Sequence, residues 1–220
     1  MEEFNKSKLN RVKRGANRAV YNKEEINQIL DTGFIGYVSY TYENMPITVP
    51  MAYGRKGNKI YLHGSQANRM LLSLLKSGKA SMTVMHLDAL VLAKSGFHHS
   101  VNYRSTTVFG SVKNIENDNE KTSILKLIMD HMMKGRWEAL RVMNEKELNR
   151  TLVVEITIET ASAKVRAEGV NDEPEDESLP IWAGLVPIKQ VSLPAISDGK
   201  LSKDVAIPKH VLDYIEDNRL

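Results

Sequence analysis

The sequence predicts an α+β protein, mainly β, in which antiparallel strands close into a barrel with a few peripheral helices. Three observations lead there. The apolar spacing switches from helical to strand-like after Thr32-Gly33 and returns to it after each later helix. Turn residues separate short runs of β-formers, as in Tyr42-Glu43-Asn44-Met45 and Gly54-Arg55-Lys56-Gly57-Asn58. The helical stretches are short and amphipathic and flank the strands, which suits a barrel of about six or seven strands.

Composition narrows the class. The chain has 220 residues, 42% of them hydrophobic, enough to bury a sizeable core. There is no cysteine, so disulfides and thiolate metal sites are excluded. No apolar run is long enough for a membrane helix, and the basic start lacks the apolar stretch of a signal peptide. A cytoplasmic protein with no membrane partner is expected. The net charge of +3 is small, so nucleic acid is not expected as a partner. Residues 1–20 read as a basic arm, mobile or laid over a partner. Residues 21–195 read as one domain, and 196–220 as a C-terminal tail with a short helix.

In order along the chain, Asn22 caps a helix with Glu25 three positions on, and Ile26, Ile29 and Leu30 form its apolar stripe. Phe34 to Tyr40 is a strand, Tyr42 to Met45 a hairpin loop, and Pro46 to Tyr53 the return strand. Pro50 cannot donate to a ladder, so it marks an edge, a bulge or a backbone facing a ligand. Ile60-Tyr61-Leu62 is a strand, and the helix after it carries Leu71, Leu74 and Leu75 and ends at Ser77-Gly78. Ala80–Met85 and Ala89–Ala93 read as two strands, Gly96–Asn102 as a loop, and Tyr103–Val112 as a long strand. A helix spans Asp118–Lys134, Asn144 with Glu147 caps a short one, and Leu152–Ile158 is a strong late strand. Gly169–Ser178 is an acidic surface loop.

The stretch His63-Gly64-Ser65-Gln66-Ala67-Asn68-Arg69 joins a strand to a helix start. Such a junction presents free N–H groups and a positive dipole end. A cation in the first turn, as Arg69 is, opposes the dipole unless an anion is bound there. Phosphate suits a guanidinium fork. The plain alternative is an exposed Arg beside a polar turn. His86, His98 and His99 lack metal-ligand spacing and read as solvated or structural. Ser100 and Ser105 lack a nucleophile-elbow frame, and there is no G-x-G-x-x-G or P-loop. No catalytic residue and no metal site is assigned.

Several blocks occur in an order that carries a resemblance. They are Pro46–Tyr53, Ile60–Ser65 with Asn68-Arg69, Asn102–Gly110, Gly135-Arg136-Trp137, Ser162–Arg166 and Ile181–Pro187. Over roughly residues 15 to 195 the chain resembles the pyridoxamine 5′-phosphate oxidase-like family of FMN-binding split barrels, in the branch that holds 5-nitroimidazole reductase-type resistance proteins. The resemblance implies a homodimer with FMN at the subunit interface. It implies cofactor contacts from Thr48, Val49, Pro50, Met51 and Ala52, from His63, Gly64, Ser65, Asn68 and Arg69, and from Ser100, Tyr103, Arg104, Ser105 and Trp182. The late Arg-Leu-His segment of the founding oxidase is not found after Pro187. An FMN-dependent oxidoreductase acting on a small flat acceptor is therefore expected, with a nicotinamide as candidate reductant, and not a true pyridoxamine phosphate oxidase. The alternatives are a non-catalytic flavin storage or sensor protein, or a haem-binding relative on the same barrel with His63, His98 or His99 as ligand.

Overall fold

A computed structural model describes residues 2–202 and 204–219. The elements are β1 (Ala19–Val20), α1 (Lys23–Thr32), β2 (Ile35–Tyr42), β3 (Met45–Lys56), β4 (Lys59–Ser65), α2 (Arg69–Ser77), β5 (Lys79–Leu92), β6 (Ser100–Asn114), α3 (Asp118–Met132), α4 (Glu145–Asn149), β7 (Thr151–Arg166), β8 (Gly184–Pro187) and α5 (Lys209–Asp217). The sheet runs β7-β4-β3-β2-β5-β6, and β6 pairs back onto β7, so it closes; every pairing is antiparallel. β1 adds to β7 and β8 to the far end of β5.

Local chemistry explains the elements. Asn22, Asn68, Asn117 and Asn144 cap α1, α2, α3 and α4, each side chain accepting an N–H in the first turn. Glu43 and Asn44 both take positive φ, which makes the tight turn between β2 and β3. The barrel interior is filled by Val38, Tyr53, Ile60, Leu62, Met82 and Val108, with α1 and α2 adding Ile26, Leu30, Leu71 and Leu74. Burying each such side chain stabilises the fold by about 1.5–3 kcal/mol. A second cluster forms outside the barrel, where α3 packs Ile124, Leu125 and Ile128 onto Tyr61 and Val153. Gly54 permits that contact, because a Cβ there would lie 3.0 Å from the Ile128 backbone.

Three expectations are corrected. The two strands read at Ala80–Met85 and Ala89–Ala93 are one, β5, whose register shifts between Leu87 and Ala89. The loop read at Gly96–Asn102 ends earlier, since Ser100 already pairs with Val91. The basic stretch expected as a mobile or partner-bound arm lies on its own barrel. Asn10 is buried there, with its Nδ2 donating to Thr160 Oγ1 at 2.7 Å and the Ala161 carbonyl at 3.0 Å. No helix among the described residues is long and apolar enough to cross a membrane.

Candidate functional site

The strand–helix junction forms as its residue types require. A Cβ at Gly64 would crowd Asn68 Nδ2 and Leu71 Cδ1 at 3.1 Å, so glycine lets α2 fold back on β4. Asn68 Oδ1 accepts the Leu71 N–H at 3.1 Å and its carbonyl accepts the Leu72 N–H at 3.0 Å. The amides of Arg69 and Met70 remain at the helix mouth. The Arg69 guanidinium stacks over the Tyr42 ring at 4.6 Å, and its Nε donates to Tyr40 Oη at 3.3 Å. Among the described residues it meets no carboxylate within salt-bridge distance, although most of the other site arginines do. Tyr40 and Tyr42 escaped the sequence reading; period-2 alternation along β2, which puts both on one face, was the available signal.

The register settles what Pro50 does. β3 pairs with β2 along Met45–Ala52, but β4 reaches only Tyr53–Lys56. The Tyr53 N–H donates to the Phe34 carbonyl at 3.0 Å, toward β2. Alternation then turns the main-chain groups of residues 52, 50, 48 and 46 to the opposite, unpaired edge. Both prolines of this strand, Pro46 and Pro50, fall on those positions, so neither removes a ladder bond. The edge offers amides from Thr48 and Ala52 and carbonyls from Thr48, Pro50 and Ala52. Ile47, Val49 and Met51 point inward to the core, which leaves the side chains of Thr48, Pro50 and Ala52 on the outer face. Val49 and Met51 thus serve packing.

His63 lies on that outer face. Ile60 and Leu62 face the barrel interior and Tyr61 the α3 side, so His63 shares the side of Tyr61 and pairs with Val153. Its Nδ1 is buried with no hydrogen-bond partner. Burial holds the imidazole below its usual pKa, which keeps it neutral at pH 7.

The remaining expected site residues lie elsewhere. Tyr103, Arg104 and Ser105 pair with Arg166, Val165 and Lys164 near the far end of β7, whereas His63 pairs with Val153. Across the sheet, however, Pro50 pairs with Tyr37, Tyr37 with Thr83 and Thr83 with Thr107, so Ser105 lies two residues along β6 from a position three strand spacings, about 14 Å, from the β3 edge. Arg104 alternates onto the face opposite Tyr103 and Ser105, and grips Asp88 with Nε–Oδ2 at 3.0 Å and Nη2–Oδ1 at 2.9 Å. It is a paired charge here and not a free one. Trp182 is 66% exposed, with its ring against Gly184 of β8. It is no core aromatic.

Beside this second group is a cavity of about 530 Å³ between Arg18, the His98–Ser100 turn and Arg166–Asn171. Its arginines are paired, although the buried Arg166 Nε makes no hydrogen bond. Glu168 bridges Arg18 and Arg166, Arg166 Nη1 also holds Asn102, and His98 Nε2 meets Glu173 Oε1 at 3.1 Å. Among the described residues no three His, Cys, Asp or Glu side chains gather as a metal site.

Comparisons with known proteins add the following. A family model described as pyridoxamine 5′-phosphate oxidase matches residues 22–165, more than half of the chain. The structure of the flavocytochrome Anf3 from Azotobacter vinelandii is 33% identical, covers 94% of this chain and 97% of its own, and superposes with a TM-score of 0.89. The structure of an FAD- and haem-binding protein from Mycobacterium smegmatis is 28% identical over 90% of this chain and 97% of its own, with a TM-score of 0.85. A 5-nitroimidazole antibiotic resistance protein from Bacteroides thetaiotaomicron shares the fold, at 23% identity over 67% of this chain and 86% of its own, with a TM-score of 0.58. No curated protein sequence matches the chain.

Proposed function

We propose, from the premise that this chain belongs to the pyridoxamine 5′-phosphate oxidase family, that it is an FMN-dependent oxidoreductase acting on a small flat acceptor. The observation that carries the reading is the open edge of β3, with Pro46 and Pro50 both at edge-facing positions, ending beside an arginine that meets no carboxylate among the described residues. A bound flavin supplies hydride or single-electron transfer through its ring. The protein's part is to hold that ring. The Thr48 and Ala52 amides would donate to the ring's polar edge, and the neighbouring carbonyls would accept from it. Arg69, with the first amides of α2, would take the phosphate. Ser65 Oγ already accepts the Ala67 N–H at 3.1 Å, so it orders the turn and can still donate to a phosphate oxygen.

A homodimer belongs to this reading. Ile35, Tyr37, Met85 and Leu87 are exposed on the outer sheet face that flanks the β3 edge. A second copy would cover them and would bring its own β6 start toward the open side of the ring. Oxidation of pyridoxamine 5′-phosphate is not part of the reading, because the Arg-Leu-His segment is missing from the sequence. An anaerobic assay tests the function: the flavin is reduced with a nicotinamide donor or dithionite, and a 5-nitroimidazole is added. Return of the oxidised spectrum is expected. Retained flavin that no flat acceptor reoxidises would favour storage or sensing, and brisk turnover of pyridoxamine 5′-phosphate would overturn the substrate class.

A second reading adds haem beside the flavin. It is favoured by His63, a neutral imidazole with an unpartnered nitrogen on the flavin face. The two near full-length relatives are described as a flavocytochrome and as an FAD- and haem-binding protein. Their descriptions also make FAD the competitor of FMN, and extraction followed by chromatography separates the two.

A further inference from the structure

Among the described residues after Arg166 none is buried. The stretch is nevertheless apolar. Ile196 is 97% exposed and Leu193 75%, and Trp182, Val205 and Leu212 are exposed by half or more. Residues 190–197 carry no charge. All of the chain's prolines except Pro46 and Pro50 lie here, and each fixes one backbone angle. A tail that stays in solvent is polar and charged. This one has the composition of a surface that is covered, since interface cores are poor in charge.

The stretch is also tied down. β8 pairs with β5, and the Ile188 N–H donates to the Asp88 carbonyl at 2.9 Å. The Ser192 N–H then donates to the Asn218 carbonyl at 2.9 Å, and Lys189 Nζ to the Arg219 carbonyl at 2.7 Å. These bonds close the base of a lobe that runs over residues 193–217 and ends in α5. The lobe meets its own protein at α5, where a Cβ on Gly135 would lie 3.5 Å from His210 Cβ. A lobe this short cannot bury a core of its own.

The area at stake is large. The single chain exposes 14338 Å². A compact monomer of its mass exposes about 10,000 Å². The excess of about 4,000 Å² is well above the ~800 Å² that one side of an ordinary interface covers, and it is on the scale of obligate homodimers. The same chain also offers a counterpart surface. Ile35, Tyr37, Met85 and Leu87 form an exposed apolar band on the outer face of β2 and β5. With lobe and band on one chain, two copies satisfy each other twice about a twofold axis.

We propose that residues 188–217 are an embracing arm, whose lobe lies on the apolar band of a second copy and is buried there. The proposal rests on the homodimer of the reading above and adds the element that holds it together. The arm lies beyond residue 165, where the match to the family model ends. It is therefore this chain's own addition to the barrel pair. Because the band flanks the β3 edge, the arm of each copy would also wall in the flavin site of the other.

The test measures the mass of the flavin-loaded full-length protein by light scattering, together with amide exchange across residues 189–217. The wild type is expected to have the mass of two chains, with slow exchange over residues 193–197. Leu193→Asp and Ile196→Asp replace side chains that are open in the single chain, so neither disturbs its fold. Each is expected to weaken the dimer by about 100-fold or more and to speed exchange in the arm, with an unchanged circular dichroism spectrum. Val142→Asp, at a position equally open but outside the arm, is expected to keep the mass of two chains. A dimer that persists in both arm variants, with fast exchange in the wild-type arm, would overturn the arm and leave a dimer made by the barrels alone. A wild type with the mass of one chain would overturn the homodimer with it. Acceptor reduction is scored separately, so a dimer with a protected arm supports the proposal even where no acceptor reoxidises the flavin.

Discussion

Two ends of this barrel carry arginines in motif-like positions, and they differ in one respect. At the β5–β6 end the arginines of the described residues are paired, Arg104 with Asp88 and Arg166 and Arg18 with Glu168, although the buried Arg166 Nε makes no hydrogen bond. At the β3–β4–α2 end, among the described residues, Arg69 meets two tyrosines and no carboxylate, and half of β3 has an unpaired edge. The cavity lies at the first end. On the proposed reading, unmatched hydrogen-bonding capacity marks the flavin site better than empty volume does. Satisfied ion pairs hold a loop in place and have little left to offer an incoming anion.

Arg69→Ala strikes hardest at this contrast. Removing a charged hydrogen-bond donor to phosphate should weaken FMN by about 100-fold, near the upper end of the ~1.5–3 kcal/mol expected for such bonds. Riboflavin, which lacks the phosphate, should bind the variant within about threefold of wild type. Calorimetric titration of the apoprotein with both ligands checks it, and equal losses would make Arg69 structural.

Glu155 probes the paired side of the comparison from within the barrel wall. Burial pushes its carboxyl up, but hydrogen bonds from Lys59 and Thr157 and the charge of Lys113 outweigh burial and hold it below the usual carboxylate value. A depressed folded value means that the stabilisation is complete above the unfolded value, near 4.5, and is lost as pH falls through the folded one. Glu155→Gln should cost roughly 1–3 kcal/mol at pH 7. Urea denaturation of wild type and variant should converge as the pH falls below that folded value, and a pH-independent difference would contradict the assignment.

Much of the fold was legible because hairpin chemistry is local. The turn at Glu43-Asn44 and the Asn22 and Asn144 caps stand in the sequence as they stand in the structure, while the Asn68 and Asn117 caps show only in the structure. β5 reads as two strands in the sequence, and the structure shows a register shift at the place where they divide, between Leu87 and Ala89. β1 has two residues and β8 four, too few for any period to show. At the site, Arg69 stood out by opposing its helix dipole. The role of Pro50 stayed open until the register showed which way its main-chain nitrogen faces, a fact set by β4 stopping at Tyr53. The pairing of Arg104 with Asp88 does not show in the sequence, because Asp88 sits in the irregular stretch of β5.

Smaller effects sharpen the edge itself. Ala52→Pro removes one outward amide and should weaken FMN and riboflavin alike, by about tenfold for one hydrogen bond of ~1 kcal/mol or slightly more. Pro50→Ala restores an amide on the same edge and should leave stability within about 0.5 kcal/mol of wild type, since no ladder bond is gained. At the other end, Arg104→Ala breaks a half-exposed pair and should cost only about 0.5 kcal/mol after solvent screening, with FMN affinity unchanged. Thermal melts with and without FMN separate these outcomes. A stability gain from Pro50→Ala well above that bound would mean that residue 50 faces β2.

The most direct measurement is hydrogen–deuterium exchange of the apoprotein with and without FMN. Protection is expected across residues 48–52 and 63–70, with residues 166–171 beside the cavity unchanged. Protection confined to the cavity, with the β3 edge and the α2 start exchanging as in the apoprotein, would contradict the account.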